Sequence, residues 1–256
     1  MSSTYLEPTI IKNSLFAPLD EDLHLVRIAG GNETEVYATD DERYVVKVKS
    51  NSEDGEEVTL AGTLVEAQAE AQHLKATAER IVHCIGPQHQ IPNYFIVAQN
   101  DTGYCQPVVV QPYYRDAKAL FDIDYKTLTR DEKCQLRNQL LDLIGRSVRT
   151  FFREGWMPDL YGRTSSSKSE RTRLSGWTML PWRLWSFLVQ RNLLCSHNLM
   201  WTPDGRVILV DYDPMHQGQL YQWVYFHVRL ALFVRDLVVL GVVLGNGQKS
   251  SVPPSR

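Results

Sequence analysis

Asn198 and Asp211 stand thirteen residues apart with a β-hairpin written between them, and this stretch restricts the fold more than any other in the chain. Leu199, Met200 and Trp201 read as one short strand, Pro203-Asp204-Gly205 as the turn, and Val207 to Val210 as the returning strand. Pro presets its own φ and Gly supplies the positive φ that a tight turn needs. Such a hairpin brings Asn198 and Asp211 to the same end. There a carboxylate and an amide oxygen can share a hard cation such as Mg²⁺. The plainer alternative is a surface hairpin flanked by polar residues.

Bulk properties narrow the classes. The chain has 256 residues, 43% of them apolar and 22% charged, which is ordinary globular material. That length suits one large domain or two lobes around a cleft. A net charge of −3 argues against a nucleic-acid surface. Cys84, Cys105, Cys134 and Cys195 show neither metal nor disulfide spacing, which points to a reducing compartment, the cytoplasm. The N-terminal residues lack the features of a signal peptide. Leu230 to Leu244, the most apolar run, is interrupted by Arg235 and Asp236. It reads as a buried or partner-facing helix rather than a membrane span.

Residues 1–20 read as an irregular lead-in. Strands are expected at Leu23 to Ile28, Glu35 to Ala38 and Tyr44 to Lys49, with Gly30 and Gly31 between the first two. Glycines there let backbone amides approach a ligand closely. A hairpin turn would use them equally well. A lysine inside the apolar strand Val45-Val46-Lys47-Val48-Lys49 needs a partner for its charge. Glu57 to Thr77 is helical by composition. Asn93 to Ala98 and Pro107 to Gln111 read as two further strands. Thr129 to Arg153 carries Leu136, Leu140, Leu143, Ile144 and Val148 at helical spacing, with Thr129 as N-cap. A last helix is expected near Leu220 to Leu240.

Strands with one helix, then a long helix, then the hairpin: this order resembles the protein-kinase-like superfamily, including its small atypical and aminoglycoside-phosphotransferase-like members. Ala29-Gly30-Gly31-Asn32-Glu33-Thr34-Glu35-Val36 is similar to the kinase glycine loop, matching it at the middle glycine and at Val36. Lys47, eleven residues on, resembles the lysine that grips the α- and β-phosphates of ATP, with Lys49 as alternative. Its partner glutamate would be Glu70, or Glu66 one turn earlier. Val108 to Tyr114, including Gln111, would receive adenine through backbone groups. Asn198 and Asp211 resemble the metal-holding pair, with Asp211-Tyr212-Asp213 where kinases carry Asp-Phe-Gly.

The resemblance implies an α+β, two-lobed fold. It divides the chain into a lead-in (1–22), a β-rich N-lobe (23–112), a short, mostly helical C-lobe (113–240) and a flexible tail (241–256).

One element is displaced. Kinases place the aspartate that accepts the substrate hydroxyl proton five residues before the metal-binding Asn, and here that position is Leu193. Upstream, directly after the long helix, lies Met157-Pro158-Asp159-Leu160-Tyr161-Gly162. Skipping residues 163–196 puts Asp159 five positions before Asn198 and restores D-L-x-x-x-N. The skipped residues are a polar, basic run from Thr164 to Arg173 and a Trp-rich segment, 177–185, with Trp177, Trp182 and Trp185. They read as an insertion, either intervening sequence carried into the protein or a genuine insert whose tryptophans dock a protein partner.

Three functions follow. The first is an ATP- and Mg²⁺-dependent phosphotransferase acting on a hydroxyl of an unidentified small molecule or protein, with Asp159 catalytic. The second is a pseudokinase or nucleotide-binding scaffold. In the third, the protein is an unrelated α+β fold. No nucleic-acid partner and no membrane span are expected.

Overall fold

Antiparallel pairing organises every strand described in the computed structural model, which covers residues 9–10, 25–30, 34–49, 52–53, 56–57, 62–99, 105–162, 181, 192–212 and 219–244. The protein is α+β. In chain order come β1 (Thr9–Ile10), β2 (Leu25–Gly30), β3 (Thr34–Thr39), β4 (Tyr44–Lys49), β5 (Ser52–Glu53), β6 (Glu56–Glu57), α1 (Leu64–Ile85), β7 (Tyr94–Gln99) and β8 (Cys105–Pro112). The rest comprises β9 (Lys118–Ala119), α2 (Arg130–Glu154), β10 (Leu199–Trp201), β11 (Val207–Leu209) and α3 (Gln219–Val243). These described elements divide into two compact units. One uses residues up to Arg80 and Ile91–Arg115; the other uses Ile81–Gln90 and residues from Asp116 onward.

The first unit is a six-stranded sheet in the order β1-β7-β8-β4-β3-β2. β-Branched residues favour its central strands because they pack well on a pleated surface. Val46 pairs with Val110 and Ile96 with Val108, so these four side chains share a face and form the unit's core. Two expectations fail here. Thr9–Ile10, read as irregular, pairs with β7. Glu57, read as helical, lies in the short β5–β6 pair. The helix begins only at Leu64, where Thr63 and Glu66 exchange hydrogen bonds across its first turn. It runs on to Ile85 and stops at Gly86, whose φ of 84° few other residues adopt.

The second unit is built around α2. Thr129 is its N-cap, as the sequence predicts; the structure adds a reciprocal box with Glu132, and Gly155 closes the helix in the left-handed conformation. Its apolar stripe buries Leu136, Leu140, Leu143 and Ile144. Those side chains meet Leu120, Leu160, Leu199, Leu209 and Phe233 in one core. β10 and β11 form the expected hairpin, with Leu199 opposite Leu209 and Gly205 at φ 78° in the turn. β9 adds a third strand through Met200 and Ala119. None of the described helices is long and apolar enough to cross a membrane.

Candidate functional site

Asp159 and Asn198 are 39 residues apart in sequence and adjacent in space. The Asn198 side-chain Nδ2 donates to the Asp159 carbonyl at 3.2 Å. Ser196, two residues before Asn198, donates its hydroxyl at 2.6 Å to the carbonyl of Leu160, one residue after Asp159, and its oxygen accepts from Asn198 N and Leu199 N, both at 3.1 Å. The chain therefore leaves after Gly162 and returns by Ser196 to the place it left. Residues 163–191 lie outside the described residues except for Pro181, so the basic run and Trp177, Trp182 and Trp185 carry no structural account.

The segment read as inserted ran to residue 196, yet Leu193 and Leu194 near its end pack in the core of the second unit. Asn192 caps a 3₁₀ turn over Leu193–Cys195, in which Leu193 and Leu194 are buried. Tyr125 donates its hydroxyl to the Leu194 carbonyl at 2.5 Å.

The amide of Asn198 has a determined orientation. A backbone carbonyl can only accept, so Nδ2 must face Asp159 and Oδ1 must face the other way. Oδ1 points at Gly162, where a Cβ would stand only 2.8 Å from it. Gly162 also has φ 74°, so glycine serves both the turn and the approach. Asp211 follows Val210, whose N–H donates to the Asn198 carbonyl at 2.9 Å. The hairpin register thus sets Asp211 at the same end as Asn198, half-buried. One carboxylate and one amide oxygen suit a small divalent cation that keeps its own waters and a substrate's phosphates. Among the described residues no group of three or more His, Cys, Asp or Glu side chains gathers as a metal cage.

Asp159 is half-buried and held from two sides. Its Oδ1 accepts from Tyr161 N at 3.0 Å and pairs with Arg229 Nη2 at 2.9 Å. Arg229, on α3, is 3% exposed, and its guanidinium lies 4.5 Å from the centre of the Tyr161 ring. Tyr161 donates its hydroxyl to Asp236 Oδ2 at 2.5 Å, and Asp236 also accepts from Leu193 N and pairs with Arg235. Burial pushes the Tyr161 phenol up, helped by the adjacent Asp236 carboxylate. Burial also raises Asp236, against the hydrogen bond from Tyr161 and the pairing with Arg235. A continuous run of contacts, Leu193 N to Asp236 to Tyr161 to Arg229, thus reaches Asp159.

A second clamp holds the hairpin. His89, fully buried, directs Nδ1 at the Val207 carbonyl (2.7 Å) and Nε2 at Asp142 of α2 (3.2 Å). Burial raises Asp142, but hydrogen bonds from Arg146, Gln88 and His89 prevail and lower it.

In the first unit, Val36 pairs with Lys47, and Lys47 pairs with Val109. Lys47 is half-buried on the face opposite the valine core, the face that also holds buried Val45 and Phe95. Glu70 is half-buried on α1 between buried Ala67 and Ala71. Glu66, its alternative, is exposed and turns back to cap its own helix, which keeps its carboxyl below the usual range through the Thr63 hydroxyl and amides. Gln111 is buried and donates to Asn93 Oδ1 at 2.5 Å, so its side chain supports the strand. Gly30 ends β2 opposite Glu35, and Gly31, Asp213 and Met215-His216 lie outside the described residues.

Gly162, Ser196, Tyr161, Arg229 and Asp236 belong to this site and were not singled out as site residues from sequence. The available signal was charge inside an apolar helix, because Arg229 and Asp236 there require buried partners. Neither family models nor curated protein sequences give a match to this chain.

Proposed function

We propose that the protein is an ATP- and Mg²⁺-dependent phosphotransferase of the protein-kinase-like kind, with a β-rich and a mostly helical lobe. One observation carries this reading: the Asn198 side chain binds the Asp159 backbone across a 39-residue separation, while the hairpin aligns Asp211 at the same end. That supports Asp159, Asn198 and Asp211 as one constellation despite the residues between them. Asn198 Oδ1 and the Asp211 carboxylate hold the cation, which neutralises phosphate charge when bound. Asp159 orients the acceptor hydroxyl and takes its proton. In the first unit, Lys47 neutralises the α- and β-phosphates, Glu70 orients Lys47, and the Val108–Tyr114 backbone receives adenine beyond the Gly30-Gly31 loop. Positioning and charge neutralisation are what a loose phosphoryl-transfer transition state needs.

A second reading, a nucleotide-binding pseudokinase, is favoured by Arg229. It already occupies the Asp159 carboxylate that the first reading needs for the acceptor. Calorimetric titration with ATP, with and without Mg²⁺, tests both on the full chain and on a form with residues 163–191 replaced by a short linker. Mg²⁺-dependent binding lost in Asp211→Ala, together with slow Mg²⁺-dependent ATP hydrolysis lost in Asp159→Asn, is expected for the phosphotransferase. Binding without hydrolysis favours the pseudokinase. Absence of binding in both forms removes the nucleotide reading altogether.

A further inference from the structure

Asp159 is held at its backbone and at one oxygen of its carboxylate. Its carbonyl accepts from Asn198 Nδ2. Oδ1 accepts from Tyr161 N at 3.0 Å and pairs with Arg229 Nη2 at 2.9 Å. None of the described residues donates a hydrogen bond to Oδ2. A carboxylate turns about the bond to its Cβ. Two donors that reach one oxygen from different parts of the chain, the residues after α2 and helix α3, stop that rotation and give the second oxygen a single direction.

The group that pins Oδ1 is itself rigid. The Arg229 side chain is 4% exposed, with its guanidinium 4.5 Å from the centre of the Tyr161 ring. That ring stacks on Phe233 of α3 at 5.6 Å, and its hydroxyl is tied to Asp236. A planar guanidinium set against an aromatic face is already ordered before it pairs. An arginine placed to silence a carboxylate takes both oxygens in its fork. Here the pair runs from Nη2 to Oδ1.

We infer that Arg229 is a positioning residue for phosphoryl transfer, pinning Oδ1 of Asp159 so that Oδ2 is presented to the acceptor hydroxyl. The inference rests on the phosphotransferase reading above. As the acceptor oxygen bonds the γ-phosphorus and the bond to the bridging oxygen of ADP breaks, the acceptor proton passes to Oδ2. Buried as it is, Arg229 acts through Asp159. A base misplaced by about 1 Å loses on the order of a hundredfold in rate. A merely structural pair changes how much protein is folded, and leaves each folded molecule turning over at the same rate.

Mg²⁺-dependent ATP hydrolysis by the full chain, with water as acceptor, tests this when kcat is expressed per nucleotide site counted by calorimetry. Arg229→Gln should lower kcat about a hundredfold with the KM for ATP unchanged, and Arg229→Lys, which keeps the charge, only about tenfold. Leu140→Ala, which removes core packing and no partner of Asp159, should leave kcat per site at the wild-type value. Arg229 variants that bind Mg²⁺·ATP and hydrolyse it at the wild-type rate would overturn the inference and leave the phosphotransferase reading standing. So would a faster Arg229→Gln, which makes the pair a block, or an Arg229→Lys without nucleotide sites, which makes it a strut. A wild-type chain that binds Mg²⁺·ATP without hydrolysing it, or fails to bind it, overturns the reading itself and the inference with it.

Discussion

Helices α2 and α3 have the same length, 25 residues each, and opposite construction. α2 keeps its charges outside, buries Leu136, Leu140, Leu143 and Ile144, and is stopped at both ends by local chemistry at Thr129 and Gly155. α3 buries Arg229 and Asp236 and leaves Val234 and Val238 in solvent. A helix of the first kind is stabilised by its apolar stripe. The second kind is specified by charges held largely through distant partners: Asp159 for Arg229, Tyr161 and Leu193 for Asp236, which also pairs with its neighbour Arg235. The two helices should therefore respond differently to substitution.

The largest effect should come from α3. Arg229→Met strands the Asp159 carboxylate beside the Tyr161 ring and is expected to cost about 3–5 kcal/mol in chemical denaturation. Adding Asp159→Asn should restore most of that loss; if it restores nothing, the ion pair is not what Arg229 contributes. On α2 the corresponding test is apolar. Leu140→Ala, at a fully buried position, should cost about 3 kcal/mol with no dependence on pH or on any second site.

Titration sharpens the contrast. Because burial raises Asp236, its contribution is most favourable below the unfolded carboxyl range, around pH 3.9, and is lost as pH rises through its higher folded value. Asp236→Asn removes that slope, so stability measured across acidic pH should shift in the variant's favour as pH increases. Asp142 runs the other way, its lowered carboxyl contributing above the unfolded range and losing its effect as pH falls through the folded value. An Asp142→Asn profile that moved in the same direction as Asp236→Asn would contradict the assignment. The smallest effect should be at the α2 cap. Thr129→Ala is expected to cost about 1 kcal/mol, read as a small drop in melting temperature.

The legible parts of the molecule were those with local causes. The Pro203-Asp204-Gly205 turn and the Thr129 cap are completed by residues within a few positions of each other, and both are found where the sequence puts them. Composition alone misplaced α1, because the reciprocal Thr63–Glu66 bonds that start it are a matter of two side chains rather than of average propensity. At the candidate site, Asp159 and Asn198 could be aligned on paper only by leaving out the residues between them. Their contact depends on a hydrogen bond spanning 39 positions.

By itself, then, the sequence determined the main strands of the sheet, the Thr129 cap, the hairpin and the residue types able to hold a cation, since each follows from φ preferences and side-chain reach over a few residues. Tertiary structure alone decided that Leu193 and Leu194 pack in the core, that Gly162 makes room for the Asn198 oxygen, and that Arg229 holds Asp159. Those are pairings between remote segments, and a buried charge or an oriented amide acquires its partner only when the chain has folded around it.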